Sequence, residues 1–126
     1  MVRMNGALVY VELPIHDVDE TLRFYRTLFG WKITESFLSE QRYFMFETPT
    51  RSLSGGFDAK KKPAKNGPTL YVGCADINAL LPRIGDFKNA HVVKPRTAVG
   101  GDYGYYALIE DPSGNVIGLQ EDEKDA

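Results

Sequence analysis

One structural pattern occurs twice along the chain, and this repetition restricts the fold more than any single motif. In each half, a short run with β-strand character precedes an aspartate, and apolar residues then recur at helical spacing. Three more runs with β-strand character follow in each half. Asp17 and Asp76 are therefore equivalent helix caps, and the sequence predicts an α+β protein built from paired β-α-β-β-β modules.

The first module begins with residues 7–14, where apolar residues alternate with Tyr10 and Glu12 as expected for a strand with two different faces. A helix follows, with Asp17 as its N-cap and Gly30 as its stop. Strands are predicted at residues 31–37, 42–48 and 52–57.

The second module repeats this order, with a strand at residues 69–74 and a helix capped by Asp76. Pro82 lies beyond the first helical turn, so this helix is predicted to be short or kinked. Strands at residues 90–95, 105–110 and 116–120 follow, and a turn at 111–115 joins the last two.

Length and charge narrow the class of protein. The 126 residues suffice for one domain, residues 1–126, with modules at about 6–57 and 69–120 and a linker at 58–68. A net charge of -2 gives no support for nucleic-acid binding. The single cysteine, the lack of a signal-peptide core and the lack of an 18-residue apolar run lead us to expect a soluble cytoplasmic protein without a membrane partner.

Several motifs together resemble the vicinal oxygen chelate superfamily, which contains glyoxalase I, extradiol dioxygenases and bleomycin-resistance proteins. They are VELPIHDVDETLRFYRTLFGWKI, GGF at 55–57, LYVGCADINALLPRI and GYYALIEDPSGNVIGLQ. The resemblance, strongest to a glyoxalase-related branch of unsettled reaction, implies that the sheets curl into an open cup with the site on its concave face.

The resemblance also implies where a metal would bind. In metal-using members, His or Glu side chains project into the cup from the first and last strands of each module. Carried over to this chain, those positions fall at Tyr10, Leu70, Gly118 and either Ser54 or Gly55. None offers an imidazole or carboxylate, so we expect no metal and no cofactor.

With Tyr10, Leu70 and Gly118 pointing inward, strand alternation adds further residues to the cup wall. The third strand contributes either its phenylalanines or Tyr43, Met45 and Glu47, and we favour the phenylalanines. The predicted ligand-binding set is Leu8, Tyr10, Phe44, Phe46, Leu70, Val72, Val116, Gly118 and Gln120.

Glu12 is the candidate catalytic residue, because a carboxylate on an apolar wall has a raised pKa and suits general-base work. The alternative is a solvated carboxylate at the rim, since Glu12 lies near the end of its strand. Cys74 lies just before a helix cap and is interpreted as a buried structural thiol, although a helix N-terminus can lower a thiol pKa. His16 and His91 lie away from the implied metal positions and are interpreted as surface residues.

These features predict a metal-free, cup-shaped protein that binds an apolar or aromatic organic molecule. The main alternative is a glyoxalase- or dioxygenase-related enzyme, using unrecognised metal ligands or, without metal, Glu12 and Tyr10. A non-catalytic module whose own side chains fill the cup is a third possibility. Because curled sheets leave open edges, we also expect a homodimer.

Overall fold

The computed structural model describes residues 6, 8–37, 42–49, 53–63 and 66–123. The elements are β1 (Tyr10–Pro14), α1 (Val18–Phe29), β2 (Lys32–Ser36), β3 (Tyr43–Glu47), β4 (Ser54–Asp58), β5 (Tyr71–Gly73), α2 (Ile77–Ile84), β6 (His91–Ala98), β7 (Tyr105–Glu110) and β8 (Val116–Glu121). This order confirms the predicted α+β fold and its doubled β-α-β-β-β pattern. Ala7, Ser52, residues 64–65 of the predicted linker and residues 124–126 of the charged tail lie outside the described residues.

The strands form two four-stranded mixed sheets, ordered β1-β4-β3-β2 and β5-β8-β7-β6. In each sheet the first strand of the module runs parallel to its neighbour, as β1 does to β4 and β5 to β8, and the other pairs are antiparallel. Within the described residues, no strand of one sheet pairs with a strand of the other. Therefore β1 and β5 are edge strands, each paired on one side only.

Both helices begin at the aspartates that the sequence indicates, and α1 also ends at the predicted glycine. The Asp17 side chain accepts a hydrogen bond from the Glu20 amide at 3.4 Å, and Gly30 ends α1 in a left-handed conformation with φ of 68°. Asp76 accepts from the Ala79 amide at 3.3 Å. The second helix has only 8 residues, which confirms the short helix predicted from Pro82. Neither described helix is long and apolar enough to cross a membrane.

The apolar side of α1 packs against the first sheet through aromatic rings. Tyr25 stacks on Trp31 with ring centroids 4.6 Å apart, and Trp31 stacks on Phe46 at 4.5 Å. Phe24 and Tyr25 are both fully buried. Because Phe24 also packs edge-on against Phe87 at 5.2 Å, α1 contacts residues of both modules.

A buried carboxylate, Asp111, connects the two modules. It lies in the β7–β8 turn and accepts the Tyr25 hydroxyl of α1 at 2.7 Å and the amide nitrogens of Ser113 and Asn115, each at 2.9 Å. The Asn115 side-chain amide donates to Asp111 and to the Pro14 carbonyl at the end of β1, both at 2.8 Å. Burial raises the pKa of Asp111, an effect that these hydrogen bonds oppose.

Ser113, in the same turn, adds a second connection between the modules. Its hydroxyl lies 2.6 Å from the Thr21 hydroxyl of α1 and accepts the His16 amide at 2.9 Å. Thr21 and Ser113 are both buried. The DPSGN segment, which the sequence indicates as a turn, is therefore also the place where the second module is held against β1 and α1.

We predict that Asp111→Ala lowers the free energy of unfolding by about 3 kcal/mol or more, because several buried donors lose their acceptor at once. Tyr25→Phe removes a single donor and should cost only about 1 kcal/mol. Urea unfolding of both variants beside the wild type measures the difference. An Asp111→Ala protein within about 0.5 kcal/mol of the wild type would contradict the role given to this carboxylate.

Candidate functional site

The two modules enclose an open cavity of about 700 Å³. This volume lies within the range of roughly 300–1,000 Å³ that small-molecule sites occupy. None of the described residues that line the cavity carries a charged side chain. The lining residues are Val11, Leu28, Phe29, Trp31, Phe46, Thr48, Pro49, Leu53, Thr69, Leu70, Tyr71, Val72, Gly73, Cys74, Ala75 and Leu80.

Elements from each module supply one wall of the cavity. In the first module, Leu28 and Phe29 come from the last turn of α1, and Trp31 follows the Gly30 stop. The stack of Trp31 on Phe46 fixes the plane of this wall. In the second module, the opposite wall is the segment 69–75 around the edge strand β5, together with Leu80 of α2. The resulting surface is mostly apolar and aromatic, with a few hydroxyl groups.

Position 118 has no room for a side chain because an aromatic ring lies over Gly118. It pairs with Tyr71 across the parallel β5–β8 ladder. A Cβ atom built at Gly118 would overlap the Tyr71 ring, whose nearest carbons would be 2.4 Å away. The sequence predicts that Gly118 lines the ligand-binding cup, but in the structure the Tyr71 ring occupies the space over it. The side chain of Tyr71 therefore depends on Gly118, and Tyr71 itself lines the cavity.

The predicted orientation of the second module's first strand is wrong by one residue. Because Tyr71 is the residue opposite Gly118, Leu70 and Val72 point to the other face of the sheet. The spacing from the Asp76 cap does not determine this ladder register. Leu70 and Val72 nevertheless line the cavity between the modules, so they remain candidate binding residues for a different geometric reason.

The prediction for the third strand is wrong in the same sense. Phe44 and Phe46 are 3% and 2% exposed and lie in the core on the face opposite Tyr10 and Glu12. The alternative left open in the sequence, with Tyr43 and Met45 on the face of Glu12, is the one observed. Phe46 still reaches the cavity wall, whereas Phe44 does not.

Tyr10 and Glu12 lie in a hydrogen-bonded cluster on the outer face of the first sheet, which is the face that points away from α1. The Tyr43 hydroxyl donates to Glu12 at 2.8 Å and lies 2.7 Å from the Tyr10 hydroxyl. Lys61 forms an ion pair with Glu12 at 2.8 Å. The hydrogen bonds from Lys61 and then Tyr43 lower the pKa of Glu12. The raised pKa expected for a general base is therefore wrong, and Glu12 is a weak base here.

The remaining predicted residues lie outside the cavity. Leu8 is 85% exposed. Val116 and Gln120 are half-buried on the same face of the second sheet as Gly118, and the Gln120 side chain donates to the Tyr103 carbonyl at 3.1 Å. The residues predicted to line one cup thus belong to two separate sheets, with Tyr10 on the first and Val116, Gly118 and Gln120 on the second.

The implied metal positions do not suit a metal ion. The Tyr10 hydroxyl is engaged by Tyr43, Leu70 is apolar, and Gly118 lies under Tyr71. Ser54 is half-buried and Gly55 buried in β4, without an imidazole or carboxylate. Within the described ranges, no three His, Cys, Asp or Glu side chains come together as a metal site would require.

The two histidines and the cysteine have other surroundings. His91 pairs with Glu110 at 2.8 Å on the surface, and His16 is exposed next to the α1 cap. Cys74 is half-buried at the cavity wall, and burial raises the pKa of its thiol. Because a raised pKa keeps the thiol protonated, the structure favours the interpretation of Cys74 as a structural residue.

Sequence reasoning missed the first-module wall of the cavity. The LFGW segment contains Leu28, Phe29 and Trp31. The sequence predicts a helix end there and does not predict a cavity wall. Two large aromatic residues on either side of a helix-stopping glycine were the available signal. They lie where the helix leaves the sheet, so their rings can face a neighbouring module.

Comparisons with known proteins agree with this architecture. The family model described as Glyoxalase/Bleomycin resistance protein/Dioxygenase superfamily matches residues 7–119. No curated protein sequence matches the chain.

Solved structures with the same fold include TnmS3, described as an antibiotic binding protein from Streptomyces sp. CB03234. It has 20% identity and a TM-score of 0.70, over 95% of this chain and 99% of that one. Another is FosX, a genomically encoded fosfomycin resistance protein from Listeria monocytogenes, with 15% identity and a TM-score of 0.69, over 94% of both chains. At these identities the likeness establishes the fold alone.

The contact between Tyr71 and Gly118 predicts a non-additive pair of substitutions. Gly118→Ala should destabilise the wild type by about 1 kcal/mol, because the new methyl group displaces the Tyr71 ring. In a Tyr71→Ala background the same change should be neutral or stabilising, since alanine suits a strand better than glycine. Urea unfolding of the four proteins measures the coupling. Equal effects of Gly118→Ala in both backgrounds would contradict the proposed contact.

Proposed function

Because the chain belongs to the glyoxalase/bleomycin resistance protein/dioxygenase superfamily, we propose that it is a metal-free protein that binds an uncharged apolar or aromatic organic molecule. The observation that carries the proposal is the cavity of about 700 Å³ between the modules, in which no described lining residue has a charged side chain. An uncharged apolar ligand gains from burial there, whereas an ion would lose its hydration without gaining a partner.

The aromatic wall supports a flat ligand. Trp31, Phe46 and Tyr71 all line the cavity, and Trp31 and Phe46 are already held in a fixed stack. Rings that are ordered before binding lose little entropy when a ligand packs on them. The description of TnmS3 as an antibiotic binding protein supports an organic molecule as the ligand.

The competing functions have less support. A metal-independent enzyme would need Glu12 as a base, but the hydrogen bonds from Lys61 and Tyr43 lower the pKa of its carboxyl group and make it a weaker base. A module filled by its own side chains would not leave so large a cavity. The described residues also give no set of ligands for a metal-dependent enzyme.

Two further expectations belong to this proposal. A homodimer would cover the unpaired edge of β1, and a light-scattering mass near 14.1 kDa at all concentrations would contradict it. Location in the cytoplasm, inferred from the single cysteine, stays a prediction that cell fractionation tests.

We predict that the neutral fluorophore N-phenyl-1-naphthylamine binds the protein with an increase in its emission. Its charged analogue, 8-anilino-1-naphthalenesulfonate, has the same ring system and should bind at least roughly tenfold more weakly, because no described cavity residue carries a charge to compensate its sulfonate. Fluorescence titration of both dyes at matched protein concentrations gives the two affinities.

A matched pair of variants on α1 locates the dye. Leu28 lines the cavity, whereas its neighbour Thr27 is exposed. Leu28→Glu should weaken N-phenyl-1-naphthylamine binding by roughly tenfold or more, and Thr27→Glu should change it less than about twofold. Circular dichroism confirms that each variant is folded. No binding to the wild type, or equal binding to both variants, would refute the proposed site.

We also predict no stoichiometric zinc, nickel, iron or manganese in protein purified without a chelator. A metal that binds only the native state raises its stability, so a true site would also lower the melting temperature when EDTA removes the metal. Elemental analysis and a thermal scan with and without EDTA provide two independent readings. One equivalent of retained transition metal would overturn the metal-free assignment.

A further inference from the structure

The backbone of β5 has one edge that its own sheet does not use. The Gly118 amide donates to the Leu70 carbonyl at 2.8 Å, and the Cys74 amide donates to the Gln120 carbonyl at 2.8 Å. Alternate residues of a strand turn their backbone groups to opposite edges. With this register, residues 70, 72 and 74 face β8, and the N–H and C=O groups of Tyr71 and Gly73 point away from it.

These outward groups lie at the cavity. Tyr71 and Gly73 both line it, and β5 is the last strand of its sheet. Among the described residues, no group forms a hydrogen bond with the backbone N–H or C=O of Tyr71 or Gly73. Along the strand, the Tyr71 carbonyl is followed by the Gly73 amide, so an acceptor and a donor stand side by side. A cavity whose described walls are mostly apolar thus has a polar strip made of backbone.

We propose that this strip selects the ligand by its hydrogen-bonding edge. The ligand is a flat, uncharged ring system with an N–H donor next to a carbonyl acceptor, as in a lactam. Its N–H donates to the Tyr71 carbonyl, and its carbonyl accepts the Gly73 amide. This inference rests on the proposed function, because it concerns a molecule bound in the same cavity.

The chemistry of the other walls supports this class of ligand. Since no described lining residue has a charged side chain, the described walls offer little to orient an apolar molecule except the backbone strip and a few hydroxyls. Backbone groups that leave water need partners, so a ligand that excludes water from β5 without replacing those hydrogen bonds is penalised. A lactam edge satisfies both groups while its rings cover the aromatic wall.

Gly73 allows a clean test of the donor. A Cβ atom added there meets nothing within 4 Å, so Gly73→Ala keeps the N–H group without a clash. Gly73→Pro removes the N–H group, which points away from β8, so the β5–β8 ladder should persist. The two variants therefore differ mainly in the hydrogen bond that the proposal requires.

The probes are 2-quinolone and 1-methyl-2-quinolone. They differ only in the methyl group that replaces the hydrogen of the N–H donor. Trp31, the one tryptophan in the chain, lines the cavity and reports binding through its emission, with calorimetry as an independent reading. We expect the wild type and Gly73→Ala to bind 2-quinolone roughly five- to tenfold more tightly than its methyl derivative. Gly73→Pro should bind 2-quinolone more weakly than Gly73→Ala by a similar factor.

Equal affinity of the wild type for the two quinolones would overturn the inference, and this comparison needs no variant to fold. Failure of both quinolones to bind, while N-phenyl-1-naphthylamine binds, would also overturn it and leave the proposed function intact. If the naphthylamine fails as well, the proposed function and this inference fall together. Thermal unfolding of the Gly73 variants confirms that they are native at the temperature of the titration.

Discussion

Four hydrogen bonds converge on the buried carboxylate of Asp111, and the relative position of the two modules depends on them. The carboxylate is completely buried, so each of these donors would be costly to leave unpaired. Tyr25 brings α1 to this point, while the neighbouring Asn115 side chain reaches the end of β1. A short turn thereby sets the distance between one module's helix and the other module's sheet, and the cavity is the space that remains.

The alternation of side chains along the strands gives the two faces of each sheet different chemistry. On the first sheet, Tyr10, Glu12 and Tyr43 form a polar cluster on the outer face, while Val11 and Phe46 point toward the helix and the cavity. This arrangement keeps the carboxylate away from the apolar space. It explains why a sequence with many charged residues can still enclose a cavity whose described walls carry no charge, which is the property that the proposed function requires.

Local signals were sufficient to predict most of the fold. Asp17, Gly30 and Asp76 mark helix ends through backbone hydrogen bonds within a few residues, so their effect is readable from the sequence. The site was harder to predict. Whether Leu70 or Tyr71 faces Gly118 depends on the register of a parallel ladder between distant segments. The cavity is harder still, because its walls come from separate modules and no local pattern reports the distance between them.

The most direct test of this account is where an uncharged aromatic ligand contacts the protein. Nuclear Overhauser effects between bound N-phenyl-1-naphthylamine and isotope-labelled protein would identify the side chains next to it. The account predicts contacts with Trp31, Leu28 and Val72 on the two walls of the cavity. Contacts with Tyr10 and Met45 instead would place the ligand on the outer face of the first sheet and would contradict the claim that the space between the modules is the binding site.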